Sequence, residues 1–255
     1  MYQPRSYRHW IRDADLTTFS VVVGETDLCI SAHTNLRRKA LRLVKKYRDT
    51  LEGYIECHPA FGEALEALPV DDDAPRIVKA MMEAAVRAGV GPMAAVAGAI
   101  AEFVGRELSS FSPEVIVENG GDIYLKSLKK RVVGIYAGKS PMTGQIGLEI
   151  EGVATPLGIC TSSGTVGHSL SYGRADAVTV LAGSAALADA AATAIANLVK
   201  RPADIAGGLE RARGIVGLKG VVIIVGGDMG FSGEVKLCHT SPQVASPESI
   251  AAGEK

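Results

Sequence analysis

Between Ser184 and Val199 the chain reads SAALADAAATAIANLV, and Asp189 is the only charge in those sixteen residues. Alanine, leucine, isoleucine and valine occupy every other face of the helix that this segment predicts, so it must be buried nearly all round. Whatever fold the chain adopts has to wrap this helix on several sides. The composition allows it: 255 residues, 47% hydrophobic and 22% charged, are enough to bury a core without disulfide or metal staples. A net charge of -1 gives no global reason to bind nucleic acid or acidic lipid.

Within the helix, Asp189, Thr193 and Asn197 recur every fourth residue and form one polar stripe. A buried carboxylate is costly unless a cation or hydrogen-bond donors meet it. Asp189 and Thr193 are hard oxygen ligands one turn apart, which suits Mg²⁺ with waters and a phosphate completing its shell. A capping or interhelical hydrogen bond is the other reading of the same stripe.

The remaining elements alternate between strands and helices. Residues 17 to 31 predict a hairpin around Gly24, and the apolar stripe from Asn35 to about Glu66 predicts a helix whose Lys/Arg run is its solvated face. Further helices are expected from Arg76 to Ala88, ended by Gly89, and from Gly91 to about Val104, with Pro92 in the first turn. Strands are expected at Val115–Glu118, Asp122–Leu125, Arg131–Tyr136, Ile146–Ile150, Ala177–Leu181, Val221–Val225 and Glu234–Leu237. A small-polar loop is expected from Thr161 to Gly173, and a frayed polar tail over about 241–255. VIVENGGDIYL and VVIIVGGDMGF, Val115–Leu125 and Val221–Phe231, both run an apolar strand into Gly-Gly-Asp, as a duplication or as two unrelated tight turns.

Three further segments could carry chemistry. Gly89 and Gly91 stand just before a helix, where free backbone N–H groups can receive a phosphate or other anion; a tightly packed Gly-Pro helix entry is the alternative. In IVENGGDIYL, Gly120 and Gly121 permit close approach of a ligand to the backbone, beside Asn119 and Asp122. In GICTSSGTVGHSLSYGRADA, His168 is an acid or base near neutral pH and Cys160 is either a nucleophile or an inert core thiol. Thr161, Ser162, Ser163 and Gly164 lie between them. Four scattered cysteines without a CxxC pair suit reduced thiols, and neither a transmembrane helix nor a secretory signal is evident, so a cytoplasmic protein is expected.

Together these segments resemble the ApbE-like superfamily, whose characterised members are FAD:protein FMN transferases. ENGGDIYL resembles that family's Gly-Gly-Asn/Asp-Ile hairpin, and ICTSSGTVGHS resembles its Ala-Thr-Ser-Gly segment followed by histidine. DAVTVLAGSAALADAAATAIANL resembles its closing metal motif. The match is closer to an uncharacterised branch of the superfamily, in which GVGPMAAVAGAIAE, VENGGDIYL, GICTSSGTVGHS and ADAAATAIAN occur in the same order.

The resemblance implies an α+β fold, 1–255 as a single ApbE-like domain of tandem T-fold-like units with antiparallel sheets and packed helices. It implies a flavin-type nucleotide pocket between the halves, lined by Gly120, Gly121 and the Thr161 to Gly164 loop, with Mg²⁺ on Asp189 and Thr193. The expected partner is a small nucleotide such as FAD or another anion, and the oligomeric state is open. Two departures are visible. After its histidine a transferase reads Ile-x-Asp-Pro-x-Thr-Gly, whereas His168 leads into SLSYGRADAV, and the transferase lysine-glycine pair is replaced by GPMAAVAG. A non-flavin metabolic role through Cys160, in sulfur or cofactor metabolism, and a binding module without turnover therefore stand beside the transferase reading.

Overall fold

The computed structural model describes residues 15–165 and 173–240. Its centre is an eight-stranded antiparallel sheet with the neighbour order β1-β2-β3-β4-β7-β8-β9-β10. The strands are β1 (Thr17–Val23), β2 (Thr26–Ala32), β3 (Val115–Asn119), β4 (Asp122–Lys126), β7 (Leu157–Ser162), β8 (Ala177–Ala182), β9 (Leu218–Val225) and β10 (Asp228–Gly233). A second sheet of three strands, ordered β11-β6-β5, is made from Leu237–His239, Ile146–Ile150 and Arg131–Gly134.

The chain runs twice through the same path: two strands, helices, two strands. The first pass places α1 (Arg37–Cys57), α2 (Pro59–Glu63), α3 (Arg76–Ala88) and α4 (Val96–Leu108) between its strand pairs; the second places α5 (Ala185–Leu198) and α6 (Ile205–Arg213). The two halves join through β4 and β7, and β5 and β6 are inserted between them. This is the α+β architecture expected from the sequence. The Gly-Gly-Asp echo falls on the β3–β4 and β9–β10 hairpins, each closed by a two-residue Gly-Gly turn between paired strand ends.

Alternation along the strands gives the large sheet two apolar faces. Val115, Val117, Tyr124, Cys160, Val178 and Val180 pack under the helices, whereas Leu125, Leu157, Ile159, Leu181, Val222 and Ile224 pack against the small sheet. The result is three layers, with α5 in the middle of the helical one. Eleven of its fourteen residues are buried, as its composition demands.

Several boundaries differ from the sequence reading, each for a local reason. The helix expected to Glu66 breaks at His58, because Pro59 holds the preceding residue out of the helical region (φ -134°, ψ 70°). The helix expected from Gly91 begins as a 3₁₀ turn over Pro92–Ala95 and becomes α-helical only at Val96. The strand expected at Glu234–Leu237 is replaced by β10, whose Gly230 and Gly233 disguise it, and by β11. β7 and α6 carried no clear signal; in α6, Gly207 and Gly208 lower helix propensity, yet a Cβ on Gly208 would lie 2.7 Å from Ile223 Cδ1. Among the described residues, no single helix is long and apolar enough to cross a membrane.

Candidate functional site

The site begins with the first hairpin. The two-residue turns that suit an antiparallel hairpin call for positive φ at one or both central positions, and Gly120 (φ 70°) and Gly121 (φ 106°) supply it at both. The turn sets Asn119 opposite Asp122, and β4 sets Asp122 opposite Cys160 of β7. All three side chains are buried and turn towards the helices. Asn119 Nδ2 donates to the Ala97 carbonyl (3.1 Å), so the hairpin is fastened to the first turn of α4.

Asp189 reaches the same place from α5. Its Oδ2 accepts from the Gly98 N–H at 2.9 Å, and the Ala97 N–H also donates to the carboxylate. These are orphan amides of the first turn of α4, so Asp189 caps a helix other than its own. Glu102 on α4 returns the arrangement: it accepts from Ser184 Oγ (2.8 Å), Ala185 N (2.7 Å) and Ala186 N (3.3 Å) at the start of α5. Arg106 holds its other oxygen at 2.5 Å. The two helices can trade caps because Gly98 lets them touch; a Cβ there would lie 2.3 Å from the Ala185 oxygen.

Glu102 was not among the residues singled out from the sequence. It carries the signal that identified Asp189, a lone acid in the apolar run VAGAIAEFV. Capping accounts for the donors on Asp189 but not for its charge. Burial pushes its carboxyl up to about 7 against the amides that lower it. Burial and then the charge of Asp189 raise Asp122 well above the usual carboxylate range. Among the described residues neither acid has a basic partner: Asp122 is met by the Cys160 thiol and the Thr161 N–H, Asp189 by the Gly98 and Ala97 amides, and no cation offsets the pair.

The other candidates fall into place around this pair. Thr193 is half-buried one turn beyond Asp189. Among the described residues there is no group of three or more His, Cys, Asp and Glu side chains placed to hold a metal. An ion at Asp189 and Thr193 would therefore complete its shell from hydroxyl, water and ligand oxygens, and this hard-oxygen donor set fits Mg²⁺. His168 lies outside the described residues.

Cys160 corrects the thiol reading. It is wholly buried, donates to the Ala185 carbonyl (3.3 Å), and burial together with Asp122 and Asp189 raises its pKa well above that of a free thiol. It serves as a neutral donor inside the core, because a nucleophile requires the thiolate. Thr161 also departs from expectation: its hydroxyl meets Thr179 Oγ1 (2.9 Å) on the small-sheet face, because neighbouring strand residues point to opposite sides. Ser162 shares the face of Cys160, and Ser163 and Gly164 follow where the strand ends. Gly164 packs against the Gly173 backbone, which lies 2.2 Å from where its Cβ would be.

Gly89 and Gly91 have contacts that explain them without a ligand. Gly89 closes α3 in the left-handed conformation (φ 70°). A Cβ on Gly91 would fall 1.8 Å from the Ala64 oxygen, so that glycine admits a neighbouring backbone.

Comparison with known proteins agrees with this architecture. The flavinyl transferase ApbE of Pseudomonas stutzeri aligns over 89% of this chain and 95% of its own, with a TM-score of 0.52 at 12% identity. The ApbE protein of Thermotoga maritima aligns over 86% and 97%, with a TM-score of 0.53 at 15% identity. At that identity the likeness concerns the fold. Sequence relatives are nearer: a UPF0280 protein of Methanocaldococcus jannaschii is 42% identical over 235 residues, covering 89% of this chain and 96% of the relative. Another, of Methanopyrus kandleri, is 46% identical over 220 residues, covering 84% and 89%. With residues 8–230 matching the family model described as AbpE bacteria, and relatives this similar over most of its length, the chain belongs to that ApbE-like family.

Proposed function

We propose that the chain binds a nucleotide pyrophosphate of the FAD type together with Mg²⁺ above the first turn of α4. We propose further that it acts there as an FMN or nucleotidyl transferase, or as a pyrophosphate-cleaving enzyme. The observation that carries this reading is the pair Asp122 and Asp189, without a basic partner among the described residues and buried beside the positive-φ turn Gly120–Gly121. Two buried carboxyls with no basic partner are stable when a cation or a proton joins them, and a hard cation is the natural counter-ion for oxygen ligands. The likeness of the fold to a flavinyl transferase supports the choice of ligand class.

Asp189 and Thr193 are the residues that would hold the ion, and its chemistry would be to neutralise charge on the phosphates. The chain's own groups do the rest. Gly120 and Gly121 leave room for a ligand against the backbone, and Asn119 keeps the hairpin docked on α4. Ser162, Ser163 and Gly164 continue the wall. In the transfer, an acceptor hydroxyl oxygen bonds to the FMN phosphorus while the bond from that phosphorus to the bridging oxygen breaks. AMP leaves with the electron pair, and the hydroxyl proton passes to a base, the role expected of His168. With water as acceptor the products are FMN and AMP.

A second reading, ligand binding without turnover, is favoured by one observation: His168 leads into SLSYGRADAV in place of the transferase sequence. Incubation with FAD and Mg²⁺, with and without threonine-bearing acceptor peptides, separates the two by chromatography of FMN and AMP. Release of AMP supports turnover. Retention of intact FAD supports the binding module, and no binding of FAD refutes both.

A further inference from the structure

Among the described residues, neither Asp122 nor Asp189 has a cationic side chain beside it to meet an anionic ligand. Across the sheet, at the same end of the strands, stands the loop Ala137–Gly144. It is built tightly: Ser140 N donates to the Ala137 carbonyl (2.9 Å), Thr143 Oγ1 to the Gly138 carbonyl (2.8 Å), and Met142 N to Ser140 Oγ (3.1 Å). The buried Ser140 hydroxyl then donates to the Gly226 carbonyl at the tip of the second Gly-Gly hairpin (2.6 Å). This internally hydrogen-bonded loop presents one charged side chain, the exposed Lys139, which makes no ion pair among the described residues.

A chain of hydrogen bonds ties Lys139's loop to the candidate site. The Gly226 N–H donates to Asp176 Oδ2 (2.7 Å), and Thr165 Oγ1 donates to Asp176 Oδ1 (3.0 Å). Thr165 N donates to Ser163 Oγ (3.1 Å), one residue past the end of β7, the strand on which Cys160 faces Asp122. From β4 through β7 and β8 to β9 is three strand spacings, about 14 Å. The lysine stem shortens the gap that a ligand must span.

We propose that Lys139 is the anion-binding side chain of this site, holding a phosphate of an elongated ligand whose other end lies at Asp122 and Asp189. The inference rests on the nucleotide reading above and narrows it: a dinucleotide pyrophosphate reaches both ends, and an uncharged flavin gains nothing from Lys139.

The test measures binding of FAD, ADP, riboflavin and inorganic pyrophosphate, with Mg²⁺ present, to wild type, Lys139→Ala, Lys139→Glu and Lys139→Arg. Because Lys139 is exposed, all variants should fold, and their circular dichroism and melting should match wild type. Lys139→Ala is expected to weaken FAD and ADP about tenfold, Lys139→Glu to weaken them further and Lys139→Arg to restore them, with riboflavin unchanged. Unchanged FAD and ADP affinity in Lys139→Ala, or equal loss of riboflavin, overturns the assignment while leaving the nucleotide reading intact. Wild type that takes inorganic pyrophosphate but neither nucleotide overturns that reading, and Lys139 is then supported only if Lys139→Ala loses the pyrophosphate. Wild type that binds none of the four overturns both.

Discussion

Replacing Gly98 by alanine tests the contact on which the site is assembled. In an isolated helix this change stabilises by about 1 kcal/mol. Here the new Cβ lies 2.3 Å from the Ala185 oxygen and 2.8 Å from Asp189 Cβ, whereas real Cβ contacts essentially never fall under 3.0 Å. The helices must part by about 0.7 Å, the difference between those limits. That displacement stretches the 2.9 Å bond from Gly98 N to Asp189 Oδ2 beyond hydrogen-bonding range. Losing a bond to a buried charged group costs about 1.5–3 kcal/mol, and overpacking costs about 1–3 kcal/mol. Set against the gain in propensity, the net loss is about 1.5–5 kcal/mol. Urea unfolding of Gly98→Ala beside Gly53→Ala reads this directly, because a Cβ on Gly53 meets nothing within 4 Å and that variant should gain up to about 1 kcal/mol. A Gly98→Ala protein as stable as wild type, or more so, refutes the close crossing and the exchange of caps.

Other expectations follow from the same geometry. Glu102→Ala removes the acceptor for Ser184 Oγ and Ala185 N and should destabilise by about 2 kcal/mol in urea, with Glu102→Gln less affected; equal stability of all three proteins would falsify the capping role. Asp189 titrates near 7 in the folded chain and at 3.8 when unfolded, so metal-free stability should fall as pH rises from about 4 to 7. Asp189→Asn should flatten that limb, and an unchanged slope would contradict the shift. Glu114 has the opposite sign: despite burial, bonds from Ser127, Arg131, His33 and Leu128 hold it at about 2. Its contribution is therefore present above 4.5 and lost as pH drops towards 2, and Glu114→Gln should lack this acid limb. Brief alkylation of the native protein, read by mass spectrometry, should label the exposed Cys57 and spare Cys160; early labelling of Cys160 would reinstate it as a working thiol.

The sequence made the burial of α5 legible because a single acid in an alanine-rich helix leaves few other options. It made the hairpins legible because Gly-Gly between apolar strands has a strong turn preference. The direction in which Asp189 points, and the donors that meet it, were not legible. Its partners are backbone amides on α4, ninety-one residues earlier, and amides carry no side-chain signature. Cys160 looked reactive because it neighbours serines and threonines, but β7 turns alternate residues to opposite faces and places the thiol in the core. Gly91 looked like a phosphate turn because a glycine that admits a ligand and one that admits a neighbouring backbone read alike. α6 was hidden by Gly207 and Gly208, of which Gly208 lets it lie close to β9.

The central claim is that a cation held by Asp189 and Thr193 offsets the buried charge of Asp189 and Asp122, and Mg²⁺-dependent melting of wild type against Asp189→Asn tests it most directly. Asparagine keeps an oxygen for the Gly98 N–H but removes the charge. At one hundred times Kd, Mg²⁺ should stabilise wild type by about 2.7 kcal/mol, raising Tm by about 5–10 °C. The account predicts that this shift disappears in Asp189→Asn. The same shift in both proteins, or no shift in wild type up to millimolar Mg²⁺, would contradict it.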